Sequence, residues 1–157
     1  MDTMSENKNI QKTYRANNGP DSVVKSYVIK TSKSGHKIPV INDVHIHSIY
    51  NPLKEAENFI SANEKLLKSN NSVLLLGLGF GYHLNLIAKV LRQHHKTNYK
   101  IVVIEPFSKI VEDCKKYTNT DFSNVEVYSE GQIDEIYKNN KVIHFLTNRP
   151  SVLAHPA

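Results

Sequence analysis

Gly77, Gly79 and Gly81 stand at alternate positions directly after the apolar run Ser72 to Leu76. Glu105 closes a second apolar run, Lys100 to Ile104. A sharp turn from strand to helix needs residues that tolerate unusual φ and ψ, which glycine does. Positions without side chains also let a ligand approach the backbone. The free N–H groups at the start of the next helix favour an anion or another polar group. A carboxylate at the end of the neighbouring strand is placed to accept hydrogen bonds from ribose hydroxyls. Gly77, Gly79, Gly81 and Glu105 are therefore the candidate ligand-binding residues. The competing reading is structural, with the glycines serving only close helix–strand packing.

Other reactive side chains form weaker patterns. In Asp43-Val44-His45-Ile46-His47-Ser48 the two imidazoles share one face if the segment is a strand. Such a pair can ligate zinc or manganese. The string resembles the first metal motif of amidohydrolase and PHP-type phosphoesterase domains, which carry several further His and Asp ligands downstream. No matching set follows here, so the reading assigns no metal site and ranks a metal-dependent hydrolase last. Cys114 lies on the apolar side of an expected helix, where a buried inert thiol is the usual case. No Ser/His/Asp grouping emerges from spacing, and no catalytic residue is assigned. The pairs Glu112-Asp113 and Asp134-Glu135 read as solvated helix faces.

These residues need elements to hold them. Residues 1–22 are polar, lack apolar periodicity and read as a flexible N-terminal arm. Over 23–50, three short β-branched segments, Ser26 to Lys30, Lys37 to Ile41 and Val44 to His47, alternate with the turn formers Ser34-Gly35 and Asn42-Asp43. They predict a small antiparallel β layer. Asn51-Pro52 opens a helix, with a good N-cap followed by a residue pre-organised for the first turn. Leu53, Ala56, Phe59, Ile60, Leu66 and Leu67 fall near one face, and Asn70-Asn71 ends it.

Ser72 to Leu76 is a continuous apolar run, as expected of a strand buried on both faces of a parallel sheet. A helix from about Tyr82 follows, then the strand Lys100 to Ile104, a helix over Phe107 to Tyr117 and the strand Val125 to Tyr128. A short helix over Ile133 to Tyr137 and a strand over Val142 to Leu146 complete the pattern. Alternation of this kind predicts an α/β fold. The expected architecture is a Rossmann-like, methyltransferase-like partial parallel sheet flanked by helices over 51–157, with a small N-terminal β layer. The tail Thr147 to Ala157 shows no closing helix. The expectation is that the chain is the front part of a larger protein, and that an open sheet edge favours self-association.

With 157 residues the chain is one domain's worth. Twenty Lys and Arg against fifteen Asp and Glu give a formal charge of +5. The basic residues are scattered and not interleaved with aromatics, so charge gives no case for nucleic-acid binding. No apolar run approaches the length of a membrane span, and the polar N-terminus lacks the core of a secretory signal. A single cysteine excludes an intramolecular disulfide and fits a reducing, cytoplasmic setting.

Two resemblances sharpen the expectation. The dinucleotide fingerprint would need a third glycine where Tyr82 stands. The spacing Gly77-x-Gly79-x-Gly81 instead resembles the first motif of class I S-adenosylmethionine-dependent methyltransferases. That resemblance implies S-adenosylmethionine or a nucleotide as ligand, with Glu105 on the ribose. Leu75 departs from the acidic residue usual two positions before the first glycine.

The stretch His47-Ser48-Ile49-Tyr50-Asn51-Pro52-Leu53-Lys54-Glu55-Ala56 resembles the "HS-x-Y-(D/N)-P-x-(K/R)-E-A" element of the bacterial motility accessory factor family. These are flagellin glycosyltransferase-like proteins with a domain related to 6-hydroxymethylpterin diphosphokinase. The family's amphipathic helix, glycine-rich loop and strand ending in "IEP" follow here in order. The resemblance spans about residues 23 to 155. It implies a Rossmann-like N-terminal domain acting in positioning or partner binding, with flagellin or a downstream transferase domain as partner. It implies no glycosyltransferase activity in this stretch alone. In the family, transfer of nonulosonic acids to flagellin is attributed to a later domain, so no transferase residue carries over. The alternative is a methyltransferase-like or aminopropyltransferase-like enzyme that binds a small molecule at the glycine loop.

Overall fold

The computed structural model describes residues 24–129 and 144–147. The expected arm over 1–22, the helix expected over Ile133 to Tyr137 and the tail beyond Thr147 lie outside the described residues. The N-terminal layer is a three-stranded antiparallel sheet in the order β1-β2-β3, with β1 Tyr27–Thr31, β2 Lys37–Ile41 and β3 Val44–His45. Asn42 and Asp43 turn β2 into β3 with positive φ at both residues, 51° and 64°. Asn and Asp tolerate that region, and two such residues set the twist a tight hairpin needs. The Asn42 side-chain oxygen then accepts the N–H groups of Lys25 and Ser26 and secures the entry to β1. Ile38, Ile41 and Ile46 are fully buried beneath this layer. Each contributes about 2 kcal/mol relative to exposure.

Helix α1, Pro52–Ser69, starts as its sequence dictates. The Asn51 side chain accepts the N–H groups of Leu53 and Lys54, both at 3.1 Å, and Pro52 occupies the first helical position. The helix stops at Asn70, whose backbone and side-chain N–H groups both donate to the Leu66 carbonyl. Ala56 and Leu67 lie in the core, while Leu53 is 42% exposed.

The α/β unit then runs β4 Ser72–Leu76, α2 Tyr82–His95, β5 Lys100–Ile104, α3 Ser108–Tyr117, β6 Val125–Tyr128 and β7 His144–Thr147. All described pairings in this sheet are parallel, in the order β6-β5-β4-β7. Counted along the chain, that is third, second, first, fourth, the order of the front half of a Rossmann sheet. The register places Val73 beside Ile101 and Leu75 beside Val103 on one face, which the helices cover. Leu74, Val102 and Tyr128 line the other. The fold is thus α/β and Rossmann-like, with a small antiparallel layer added before it. Among the described residues no helix is long and apolar enough to cross a membrane.

Two tyrosine hydroxyls help tie the layer to the α/β unit. The Tyr27 hydroxyl donates to the buried Asp113 carboxylate of α3 at 2.6 Å, across 86 positions of sequence. Lys109 Nζ meets the other oxygen of that carboxylate at 3.2 Å. Tyr82, at the start of α2, donates its hydroxyl to the Lys37 carbonyl of β2.

Candidate functional site

The loop Gly77 to Gly81 leaves the carboxyl end of β4, beside the point where the strand order reverses between β4 and β7. In open α/β sheets that crevice is the usual ligand site. All three glycines have positive φ, 93°, 56° and 85°. The sequence therefore located the loop and the reason for its glycines. The chain's own side chains pack around them.

Every N–H of the loop has an acceptor within the chain. Gly77 donates to the Ile104 carbonyl at 2.8 Å and Gly81 to the Leu78 carbonyl at 3.1 Å. The N–H groups of Leu78 and Gly79 both reach Glu105 Oε1, at 3.0 and 3.3 Å. Phe80 donates to His47 Nε2 at 2.8 Å. The other Glu105 oxygen accepts the Phe107 N–H at 3.2 Å. Glu105 is fully buried. Its carboxylate thus holds together the ends of two strands.

The glycines are needed for contacts inside the protein. A Cβ on Gly79 would lie 2.2 Å from His47 Nε2, and one on Gly81 would lie 2.2 Å from Thr120 Oγ1. Neither atom pair can approach so closely, so both positions require glycine on steric grounds as well as for φ. Thr120 also donates to the Phe80 carbonyl at 3.2 Å. The Cys114 thiol lies beneath, 3.4 Å from Thr120 Oγ1. Burial pushes that thiol above its ordinary range, as fits an inert cysteine.

His47 links three elements at the loop. Because Nε2 accepts the Phe80 N–H, the neutral ring carries its proton on Nδ1. Nδ1 has no hydrogen-bond partner and lies 3.8 Å from Glu55 Oε1. That separation is too long for a hydrogen bond but close enough for electrostatic attraction. Glu55 Oε1 also accepts the Ser48 N–H at 3.0 Å. Glu55 thus fastens the segment before α1 as well as meeting the helix dipole.

The His47 ring stacks on His83 of α2, with centroids 5.5 Å apart and planes 21° apart. Phe59 of α1 meets the edge of His83 at 4.8 Å. Tyr82 meets His47 edge-on at 4.9 Å. Burial holds the His47 pKa below the ordinary histidine value, with Glu55 pulling the other way. Burial, with His47 beside it, takes His83 down to about 4.

The sequence reading of His45 and His47 as a same-face pair needs correction. Strand β3 ends at His45, and His47 turns into the core while His45 stays half-buried. The bend lies at Ile46, whose N–H donates to the Pro39 carbonyl and whose side chain is buried. Among the described residues no three His, Cys, Asp or Glu side chains gather as a metal would require.

His83 and Thr120 were missed by sequence reasoning. His83 could have been found, because it falls on one stripe with Ile87 and Leu91 at helical spacing. Thr120 gives no such signal.

A solved structure of MnmC2 from Aquifex aeolicus is similar to this chain, with a TM-score of 0.47 and 16% identity. The match covers 81% of this chain and 50% of that one, so the chain spans about half the length of that protein. No family model and no curated protein matches the chain.

Proposed function

We propose that this chain is a non-catalytic, Rossmann-like module of a motility-accessory-factor-like glycosyltransferase, whose glycine loop braces the fold. The observation that carries this reading is the closure of the loop by the chain itself. Its five N–H groups are satisfied by Ile104, Leu78, Glu105 and His47. A loop that held a cofactor through its backbone would keep donors for it. The same residues also join the three separate pieces of the family resemblance. His47 and Glu55 come from the His47 to Ala56 element, Gly79 and Phe80 from the loop, and Glu105 from the strand end. In this reading the module presents a surface to flagellin or to a transferase domain, and the transfer chemistry lies elsewhere.

A second reading has one observation in its favour. The loop stands at the reversal of strand order, with three positive-φ glycines and an acid at the next strand end. That is the arrangement of a methyltransferase-like or nucleotide-binding site. It requires the ligand to displace His47 from Phe80 or Glu105 from Leu78 and Gly79.

Thermal unfolding of the whole chain with S-adenosylmethionine, its demethylated product, CMP and CMP-sugars separates the two. A ligand at about 100 times its Kd stabilises the fold by about 2.7 kcal/mol. The brace reading expects no shift with any of them. A shift with S-adenosylmethionine or its product overturns it in favour of the second reading. A shift with CMP compounds alone makes the module part of nucleotide-sugar recognition.

A further inference from the structure

Two buried imidazoles from different layers meet where the N-terminal layer closes on the loop. His47 arrives from the end of that layer and His83 from the first turn of α2. They are 1% and 3% exposed, and both Nδ1 atoms lack a hydrogen-bond partner. The contact between them is face to face, so protonation of both rings would set two like charges against each other. The groups facing His47 are few. Glu55 lies on the α1 side, His83 and Tyr82 on the α2 side, and Glu105 beyond the loop at the end of β5. His36 of β2 reaches this group only through the edge of Tyr82. Glu105 is committed to three backbone N–H groups, which leaves Glu55 as the nearby acceptor for one added proton.

The hydrogen bond to Phe80 sets the direction of the effect. Nε2 accepts it only while His47 is neutral. A proton on Nε2 turns the acceptor into a donor pointed at another donor, so the bond is lost. We propose that this docking is an acid-sensitive latch, in which neutral His47 holds the N-terminal layer on the glycine loop and protonation of the His47–His83 pair releases it. The latch operates on the chain's own residues and does not depend on either functional reading.

The sign follows from linkage. Both imidazoles have depressed pKa values when the latch is closed and ordinary values, near 6.5, when it is open. The open state therefore binds more protons. Closure is fully stable above about pH 6.5 and weakens as pH falls through the range down to the depressed values. At pH 5.5 a histidine held as low as His83 favours opening by about tenfold, and His47 adds to this in the same direction.

Amide-resolved hydrogen exchange on the whole chain tests the proposal. Between pH 7.5 and 5.5 the Phe80 amide should lose at least about tenfold protection after correction for intrinsic exchange. The Ile101 amide, which donates to the Asn124 carbonyl inside the parallel sheet, should keep its protection. Unchanged Phe80 protection overturns the latch, and so does an equal loss at Phe80 and Ile101, which reports global unfolding. His47→Gln keeps a side-chain acceptor without a titrating ring and should reduce the pH dependence to that of His83 alone. His83→Phe keeps an aromatic face for Phe59 and should reduce the proton uptake to one. Where a variant does not fold, imidazole nitrogen shifts of the native chain decide. His47 neutral at pH 6 supports the latch, and His47 cationic at pH 7 overturns it.

Discussion

Helices α1 and α2 begin in different ways. At the start of α1 the Asn51 side chain, one residue before the helix, satisfies Leu53 and Lys54. At the start of α2 the N-cap residue is Gly81 in the left-handed region, with no side-chain cap. The loop before it is held by His47, 33 positions from its Phe80 partner, and by Glu105, 27 positions from its Leu78 partner. One start is secured locally and the other by the tertiary fold. Damage at the first should stay local, whereas damage at the second should loosen the junction of two sheets.

Three substitutions sharpen that contrast, and urea unfolding of each whole chain is the common measurement. Glu105→Ala should have the largest effect. It leaves the N–H groups of Leu78, Gly79 and Phe107 without their carboxylate acceptor in a buried site. Orphaned buried donors cost about 1–3 kcal/mol each, so the expected loss is about 4 kcal/mol. Gly79→Ala comes next. It combines a positive φ with a methyl group driven into His47. About 3 kcal/mol is expected from strain and overpacking. Asn51→Ala should be the mildest, at about 1 kcal/mol for a lost N-cap. A loss at Asn51 equal to that at Glu105 would break the distinction between local and tertiary support. A Gly79→Ala chain as stable as the native one would remove the steric argument for His47 at the loop.

Legibility in the sequence follows the same division. The runs Ser72 to Leu76, Lys100 to Ile104 and Val125 to Tyr128 matched β4, β5 and β6 in extent. β4 and β5 are near-continuous apolar runs, as strands buried on both faces are, whereas β6, VEVY, showed itself by alternation. Asn51-Pro52 marked the start of α1 for an equally local reason. At the site the sequence singled out Gly77, Gly79, Gly81 and Glu105, and the structure brings all four together. Their orientation was not readable. Spacing cannot tell whether a carboxylate faces a ligand or the backbone of its own neighbour. The expectation for His45 and His47 failed because strand alternation was extended two residues past the end of β3. Helical spacing held the signal for His83, while Thr120 is set by a loop whose path only the fold determines.

The bond from Tyr27 to Asp113 has a consequence for how the chain is made. It spans 86 positions, so β1 cannot complete its contacts until α3 has been synthesised. Until then Ile38, Ile41 and Ile46 share a core that still lacks Ile110 and Cys114 of α3. Contacts of such long range slow folding and prolong exposure of sticky surface. Among the described residues, β1 is thus made early but becomes fully native only late, and a chaperone that shields it in the interval would aid folding.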